Sequence, residues 1–178
     1  MNAVAPEPPP SGPGPKGLRL RAVDAEDLAV ISACLQDALV SVRDIAYDLA
    51  ARSFVLVANR LRWENCGGMT GPAGFERTLC GLEFDEIDRV TYRGFRRSEE
   101  DRILSLLAIQ PAPPVPGSPA VESEFEFAAG ATLRIAATTI SCRARDFGEP
   151  WPTRWLPDHA LDNGPPPLPR RRGKAGPR

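Results

Sequence analysis

The sequence has few of the residue types on which common catalytic and metal sites depend. It contains a single histidine, His159, and four dispersed cysteines without a C-x-x-C pair. A zinc site needs several clustered cysteine or histidine ligands, and nucleophile–base chemistry most economically needs a histidine. The glycine-rich run at 66–74 lacks both G-x-x-x-x-G-K-[ST] and G-x-G-x-x-G. The sequence therefore predicts no metal, no cofactor and no recognisable catalytic set.

Long apolar runs are also absent. No stretch reaches the roughly 18 residues of a membrane-spanning helix, and the N-terminus has neither the basic nor the apolar region of a signal peptide. Two of the cysteines, Cys34 and Cys142, fall in apolar-patterned segments, where free cysteine acts as a small buried hydrophobe. We therefore expect a soluble cytoplasmic protein with reduced thiols and no membrane span.

Basic residues are concentrated at the C-terminus. Of 22 basic residues, residues 163–178 hold five and no acidic one, which leaves 17 basic against 23 acidic residues elsewhere. An acidic body is a poor electrostatic match for nucleic acid, so we expect no specific nucleic-acid binding. Weak, salt-sensitive contacts with anionic surfaces are expected from three residues of the C-terminal segment, Arg170, Arg171 and Arg172.

Most of the 20 prolines lie at the two ends of the chain or in one internal loop. The Pro/Gly-rich segment 1–17 and the Pro/Arg-rich segment 161–178 cannot bury enough apolar surface to offset the entropy of ordering them. We predict that both are disordered and that residues 18–160 form one globular domain.

The first part of this domain has the clearest pattern. Leu18 and Leu20 alternate with arginines in a half-buried strand, and Asp24 follows as a helix N-cap. Apolar residues then recur at helical spacing, which predicts an amphipathic helix of about 13 residues with core positions at Leu28, Ile31, Leu35 and Ala38.

The remainder of the domain has the composition of strands. Apolar and polar residues alternate in segments bounded by Gly, Pro and charged turns, and residues 103–110 are apolar on both faces, as in a central strand. The predicted fold class is α+β, with one N-terminal amphipathic helix packed on a largely antiparallel, strongly bent sheet or partly open barrel of seven to eight strands.

The segment around Gly130 specifies a hairpin and its register. The apolar positions Phe125, Phe127, Leu133 and Ile135 are all odd-numbered, and opposed residues must share one face of the sheet. The loop must therefore contain three residues, 128–130, with Gly130 in the left-handed conformation. Phe125 then opposes Leu133, and Glu124 opposes Arg134 on the solvent face.

Two groups of residues are candidates for a binding surface. Trp151, Arg154 and Trp155 could stack on a planar ligand or anchor a partner, or the two indoles could instead fold back over the end of the sheet. Asn59, Arg60 and Trp63 form the second group, and His159 beside Asp158 is a further candidate.

These candidates support two functional hypotheses. The first is a non-enzymatic binding or interaction module for an unidentified protein or small-molecule partner. The second is an enzyme or small-ligand protein whose polar groups converge only in three dimensions, with Asp24, Arg60, Arg154 and His159 as its candidates.

Three motifs resemble those of an uncharacterised alphaproteobacterial family, the domain of unknown function DUF2948. They are D-x-E-D-L-A-V-I-S-A-x-L-Q-D-A at 24–38, N-R-x-x-W-E at 59–64 and D-x-G-x-x-W-x-T-R at 146–154. Phe147 stands where the resemblance leads us to expect leucine. The resemblance covers about 18–160 and implies a cytoplasmic bacterial protein, but the family has no assigned activity and supplies no catalytic residue.

Overall fold

The computed structural model describes residues 17–65, 75–113 and 120–154. The predicted disordered tails lie outside these ranges apart from Gly17, so their disorder stays a prediction. The elements in chain order are β1 (Arg19–Ala22), α1 (Ala25–Cys34), β2 (Leu39–Asp48), β3 (Ser53–Leu61), β4 (Phe75–Phe84), β5 (Ile87–Arg93), β6 (Ile103–Pro111), β7 (Val121–Phe127), β8 (Thr132–Ala137) and β9 (Cys142–Thr153). Single 3-10 turns lie at Trp63–Asn65 and Ala128–Gly130.

Helix α1 begins where the sequence predicts and ends earlier. The Asp24 side chain accepts a hydrogen bond from the backbone N–H of Asp27 at 2.9 Å, which confirms the predicted N-cap. The helix has 10 residues and not about 13, because the chain turns through a left-handed residue at Asp37 (φ 61°) to enter β2. The predicted apolar positions are nevertheless all fully buried: Leu28, Ile31, Leu35 and Ala38.

The predicted fold class is wrong. The nine strands form one open antiparallel sheet in the order β1-β9-β4-β3-β2-β6-β7-β8-β5, and not a barrel of seven to eight strands carrying a helix. β1 and β5 stand at the two ends of this order and do not pair with each other, so the sheet does not close. Helix α1 is a short element that contacts β1 and β6.

The two halves of the sheet share one core. The first part of β6 pairs with β2 through Ile103–Ser105, while its second part pairs with β7 through Leu106–Pro111. Phe54 of β3 therefore meets Phe125 of β7, with ring centroids 5.9 Å apart. Phe84 of β4 completes this cluster, with its ring centroid 5.6 Å from that of Phe125. One side of each half-sheet faces the core, and the other faces outward.

The length of strand β9 is difficult to predict from the sequence. The strand runs for 12 residues and contains Gly148, Pro150 and Pro152, residue types that are rare within strands. Its first part lies between β1 and β4, but β1 pairs only with residues 142–145 of β9. Beyond that point one side of β9 is free of β1, and proline is tolerated there because no ladder bond is lost on that side.

The hairpin between β7 and β8 has the predicted register. Phe125 pairs with Leu133 and Glu124 pairs with Arg134, and Gly130 has a φ of 72°. Ala129 is left-handed as well, with a φ of 60°, which the parity of the apolar positions could not show. The loop therefore contains two left-handed residues, of which only one is glycine.

Replacement of Gly130 by valine should destabilise the protein. A Cβ at this position would meet no atom within 4 Å, so the cost comes from the left-handed backbone, about 1–2 kcal/mol for an L-residue. Chemical denaturation should show a smaller loss for Gly130→Asn, because asparagine tolerates this conformation. Equal losses for the two variants, or none for valine, would contradict the assigned loop conformation.

Candidate functional site

Arg60 is fully buried at the end of β3 and binds two carboxylates. Its Nε donates to Asp146 Oδ1 at 2.9 Å and its Nη2 donates to Asp146 Oδ2 at 2.7 Å. Its Nη1 and Nη2 also donate to the carboxylate of Glu64, at 3.0 and 2.7 Å. A further bond runs from Nη1 to the carbonyl of Leu61 at 3.0 Å. These bonds use all five guanidinium N–H groups, so none remains for a ligand.

The two carboxylates of this cluster are ionised at neutral pH. Burial acts to raise the pKa of Asp146, but hydrogen bonds from Arg60 and from the Leu18 N–H hold that pKa below its usual value. The hydrogen bond from Arg60 likewise lowers the pKa of Glu64. Through these contacts the Arg60 cluster, defined as Arg60, Glu64 and Asp146, joins β3, β9, the 3-10 turn and the residue that precedes β1.

Asn59 and Trp63 lie beside the Arg60 cluster but make separate contacts. Arg77 Nη1 donates to the carbonyl of Asn59 at 2.9 Å, and burial lowers the pKa of Arg77. Trp63 is 36% exposed, and its Nε1 donates to the carbonyl of Gln36 at 3.2 Å. The structure thus brings Asn59, Arg60 and Trp63 to one end of the sheet, where the contacts described above join them to different partners.

The remaining candidates are spread over the chain. Trp151 pairs with Arg77 across β9 and β4 and is 36% exposed, and Arg154 is exposed immediately after β9. Trp155 and His159 lie outside the described residues. Asp24 caps the start of α1, whereas the charge of Arg60 acts on Cys34 at the other end of that helix. The described part of the chain therefore does not bring Asp24 and Arg60 together.

The outward side of β2, β3, β4, β9 and the first residues of β6 carries apolar side chains. Val55 is 38%, Phe147 43% and Ile103 57% exposed. We call this surface the apolar face and define it by six residues: Leu39, Val55, Val57, Leu79, Ile103 and Phe147. The rows Leu39–Asn59–Leu79–Phe147 and Val57–Gly81–Arg145 run directly across the paired strands, so these side chains share one side of the sheet.

Two open concavities lie on the apolar face. The larger has a volume of about 530 Å³ and is lined by Val55, Gly81, Leu82, Glu83, Arg143, Arg145 and Phe147. The smaller has a volume of about 260 Å³ and is lined by Leu39, Ser41, Asp44, Val57, Asn59, Leu79 and Ile103. At Gly81, a Cβ would approach the Phe147 ring at 3.6 Å, so the glycine leaves the larger concavity open beside that ring.

The outward side of β7 and β8, in the other half-sheet, is polar. Along β7, Glu122, Glu124 and Glu126 occupy every second position, opposite Ala136, Arg134 and Thr132 of β8. Arg134 pairs with Glu124, and Arg89 Nη2 lies 2.8 Å from Glu122 Oε1. We call this surface the polar face. Several of its charges pair with each other, whereas four of the six side chains of the apolar face, Leu39, Val55, Ile103 and Phe147, are more than one third exposed.

Within residues 17–65, 75–113 and 120–154, no three side chains of His, Cys, Asp or Glu are grouped as metal ligands would be. Over the same ranges, no helix has the length and apolar character needed to cross a bilayer.

Comparison with known proteins identifies the family. The family model described as "Protein of unknown function (DUF2948)" matches residues 18–159, which is most of the chain. The chain belongs to the DUF2948 family. No curated protein and no solved structure matches the sequence.

Three residues of the quoted DUF2948 motifs meet in the Arg60 cluster. Arg60 and Glu64 belong to N-R-x-x-W-E, and Asp146 begins D-x-G-x-x-W-x-T-R. Arg60 and Asp146 are 86 residues apart in the sequence, so no local sequence pattern could have paired these two residues. The DUF2948 motifs thus include residues that join distant strands.

Sequence reasoning missed the apolar face of the DUF2948 chain. In β3, residues Phe54 to Val57 are apolar at successive positions, which predicts burial on both sides. The structure buries Phe54 and Leu56 and leaves Val55 more than one third exposed. The sequence did contain a signal for this surface, an apolar strand followed by the polar pair Asn59 and Arg60. Only the strand order, however, shows which side of the sheet is left uncovered.

Replacement of Asp146 by asparagine should destabilise the DUF2948 chain by about 3 kcal/mol at pH 7, because removal of one partner leaves the buried Arg60 charge undercompensated. Since the pKa of Asp146 is lower folded than unfolded, its contribution is present above the unfolded pKa and is lost as the pH falls through the folded value. Urea unfolding should therefore show a larger difference in the free energy of unfolding between wild type and variant at pH 7 than at pH 3.

The matched control is Asp88→Asn, which removes an exposed ion pair with Arg52. Such pairs contribute about 0–1 kcal/mol. Two results would contradict the role assigned to Asp146. One is a loss of stability in Asp146→Asn no larger than that in Asp88→Asn, and the other is a difference between wild type and Asp146→Asn that does not change with pH.

Proposed function

We propose that this protein is a non-enzymatic binding module that docks a partner on the apolar face. The observation that carries the proposal is the contrast between the two outward sides of one sheet. The polar face carries charges that pair with each other, while the apolar face presents Leu39, Val55, Ile103 and Phe147 at 37%, 38%, 57% and 43% exposure. Contiguous apolar patches on a folded surface mark interaction sites more often than isolated exposed residues do.

The energetics support a preformed docking surface. Complete burial of one large apolar side chain contributes about 1.5–3 kcal/mol, so burial of several half-exposed side chains can sustain a specific contact. The strands beneath are held by the core on their inner side and by the Arg60 cluster at one end. A partner would therefore bind without ordering this backbone, which lowers the entropic cost of association.

Trp151 extends the proposed surface along β9. It pairs with Arg77, and Phe147 pairs with Leu79, two positions further along β4. The register between β4 and β9 shifts between these two pairs, and Trp151 is 36% exposed. We propose Trp151 as an aromatic anchor at this end, followed along the chain by the remaining candidates, Arg154, Trp155 and His159.

Site-specific photo-crosslinking tests the proposal. p-Benzoylphenylalanine placed at Val55 or Ile103 on the apolar face should yield a discrete adduct in the cells that produce the protein. The same group at exposed Thr91 on the polar face should not. These positions are exposed in the fold, so each substitution leaves the core intact, which the thermal unfolding midpoint checks.

A second substitution in the same chain links the adduct to the surface. Phe147→Ser should abolish the adduct formed from Val55, because it removes the ring that lines the same concavity. Equal adducts from Val55 and Thr91, or an adduct unaffected by Phe147→Ser, would contradict docking on the apolar face.

A further inference from the structure

We propose that the partner's contact is an acidic, amphipathic polypeptide segment. Its carboxylates would bind a set of arginines on β1 and β9, and its apolar side chains would enter the concavity beside Phe147. We call the four arginines of this set, Arg19, Arg21, Arg143 and Arg145, the arginine ladder. The inference rests on the proposed function and adds the chemical class of the partner.

The arginine ladder consists of two like-charge pairs placed directly opposite each other. Arg19 pairs with Arg145 and Arg21 pairs with Arg143 across β1 and β9. Like charges at directly opposed positions destabilise a sheet. In one of these pairs the repulsion is relieved, because Arg143 Nη2 lies 3.1 Å from Glu83 and 3.2 Å from Asp85.

The other pair keeps its positive charge available. In the part of the chain that the structure describes, no carboxylate forms an ion pair with Arg19 or Arg145, while both side chains are exposed. Two facing guanidinium groups that repel each other and lack a counter-charge form a preformed site for anionic groups. A carboxylate bound between them would remove the repulsion as well as form charge-assisted hydrogen bonds.

Charge and apolar surface occur in the same concavity. Arg143, Arg145 and Glu83 line the cavity of about 530 Å³ together with Val55 and Phe147. Glu83 pairs with Arg143, so Arg145 is the arginine of this described lining whose charge is left for an occupant. On β9, Arg145 and Phe147 are separated only by the inward-facing Asp146. An occupant that satisfies this lining must present carboxylates and aliphatic or aromatic side chains within a few residues of each other.

The lining favours a polypeptide over a nucleic acid. Single-stranded nucleic acids bind on rows of aromatic side chains that stack with successive bases. In this concavity Phe147 is the one aromatic residue of the described lining, and Val55 and Leu82 are aliphatic. The 23 acidic residues of the chain, against 17 basic ones before residue 163, also disfavour a phosphate backbone.

A second copy of the chain is a poorer match for the same reason. In a symmetric dimer the same patch meets itself, so two arginine ladders would approach each other. Their repulsion would add to that already present within each ladder. An acidic partner instead neutralises both.

Selection from a random dodecapeptide phage library tests the inference on the full chain. We expect selected peptides to be enriched in Asp or Glu close to Leu, Ile or Phe. Fluorescence anisotropy should then show that the best peptide binds Arg19→Glu at least tenfold more weakly than wild type. Its affinity should also decrease from 50 to 200 mM salt, since screening weakens exposed charge pairs.

The substitution Arg19→Glu separates binding from folding. It converts the Arg19–Arg145 repulsion into an attractive cross-strand pair, so the thermal unfolding midpoint should rise while affinity for the acidic peptide falls. A purely structural role would move both in the same direction. Arg93→Glu on the polar face is the matched control, because Arg93 is likewise exposed on an outer strand, and it should leave the peptide affinity unchanged.

Specific results would overturn the inference. The first two are a selection that recovers no binding peptide and a selected set without enrichment in acidic residues. The third is equal affinity of the best peptide for wild type and Arg19→Glu. The fourth is a dT20 oligonucleotide that binds more tightly than the peptides and loses affinity in the same arginine variant. A loss of binding in Phe147→Ser but not in Arg19→Glu would refute the acidic partner and retain the apolar docking face. If neither variant affects binding, both proposals fail. Self-association that Arg19→Glu alters, measured by analytical ultracentrifugation, would assign the surface to a second copy.

Discussion

The buried ion pair between Arg60 and Asp146 is the contact on which the arrangement of the outward surface depends. Successive side chains of β9 point to opposite sides of the sheet. Because Asp146 points inward, its neighbours Arg145 and Phe147 point outward. Two charge-assisted hydrogen bonds, of 2.9 and 2.7 Å, hold Asp146 in that orientation. A shift of β9 by one residue would place Phe147 against a buried guanidinium and Asp146 in solvent. The desolvation of two ionic groups therefore specifies register as well as contributing to stability.

This organisation separates the tasks of the two sides of the sheet. The inner side supplies stability through a phenylalanine cluster and a ten-residue helix that covers one end of the core. The outer side of β7 and β8 is a solvated surface with paired charges. The outer side of β1, β2, β3, β4, β9 and the first residues of β6 combines hydrophobic side chains with opposed arginines, neither of which stabilises the fold in water. A binding role accounts for both features, because a partner with carboxylates and apolar groups compensates them together.

The sequence predicts local features well because they depend on neighbouring residues. The Asp24 cap follows from one side chain and the first turn of α1, and the hairpin register follows from the parity of Phe125 and Leu133. The length of β9 could not be predicted, because Gly148, Pro150 and Pro152 are residue types that normally end a strand unless the sheet edge is known. The candidate surface could not be located because consecutive apolar residues such as Phe54 and Val55 do not reveal which side another element covers.

Hydrogen–deuterium exchange of Asp146→Asn, followed by mass spectrometry, tests most directly whether the Arg60 cluster positions this surface. We expect faster exchange in residues 142–147 of β9 and in β1, with unchanged exchange in the β7–β8 hairpin, which lies in the other half of the sheet. Exchange that is unchanged in β9, or that rises equally in both halves, would show that the ion pair does not hold β9 in register and would contradict the account.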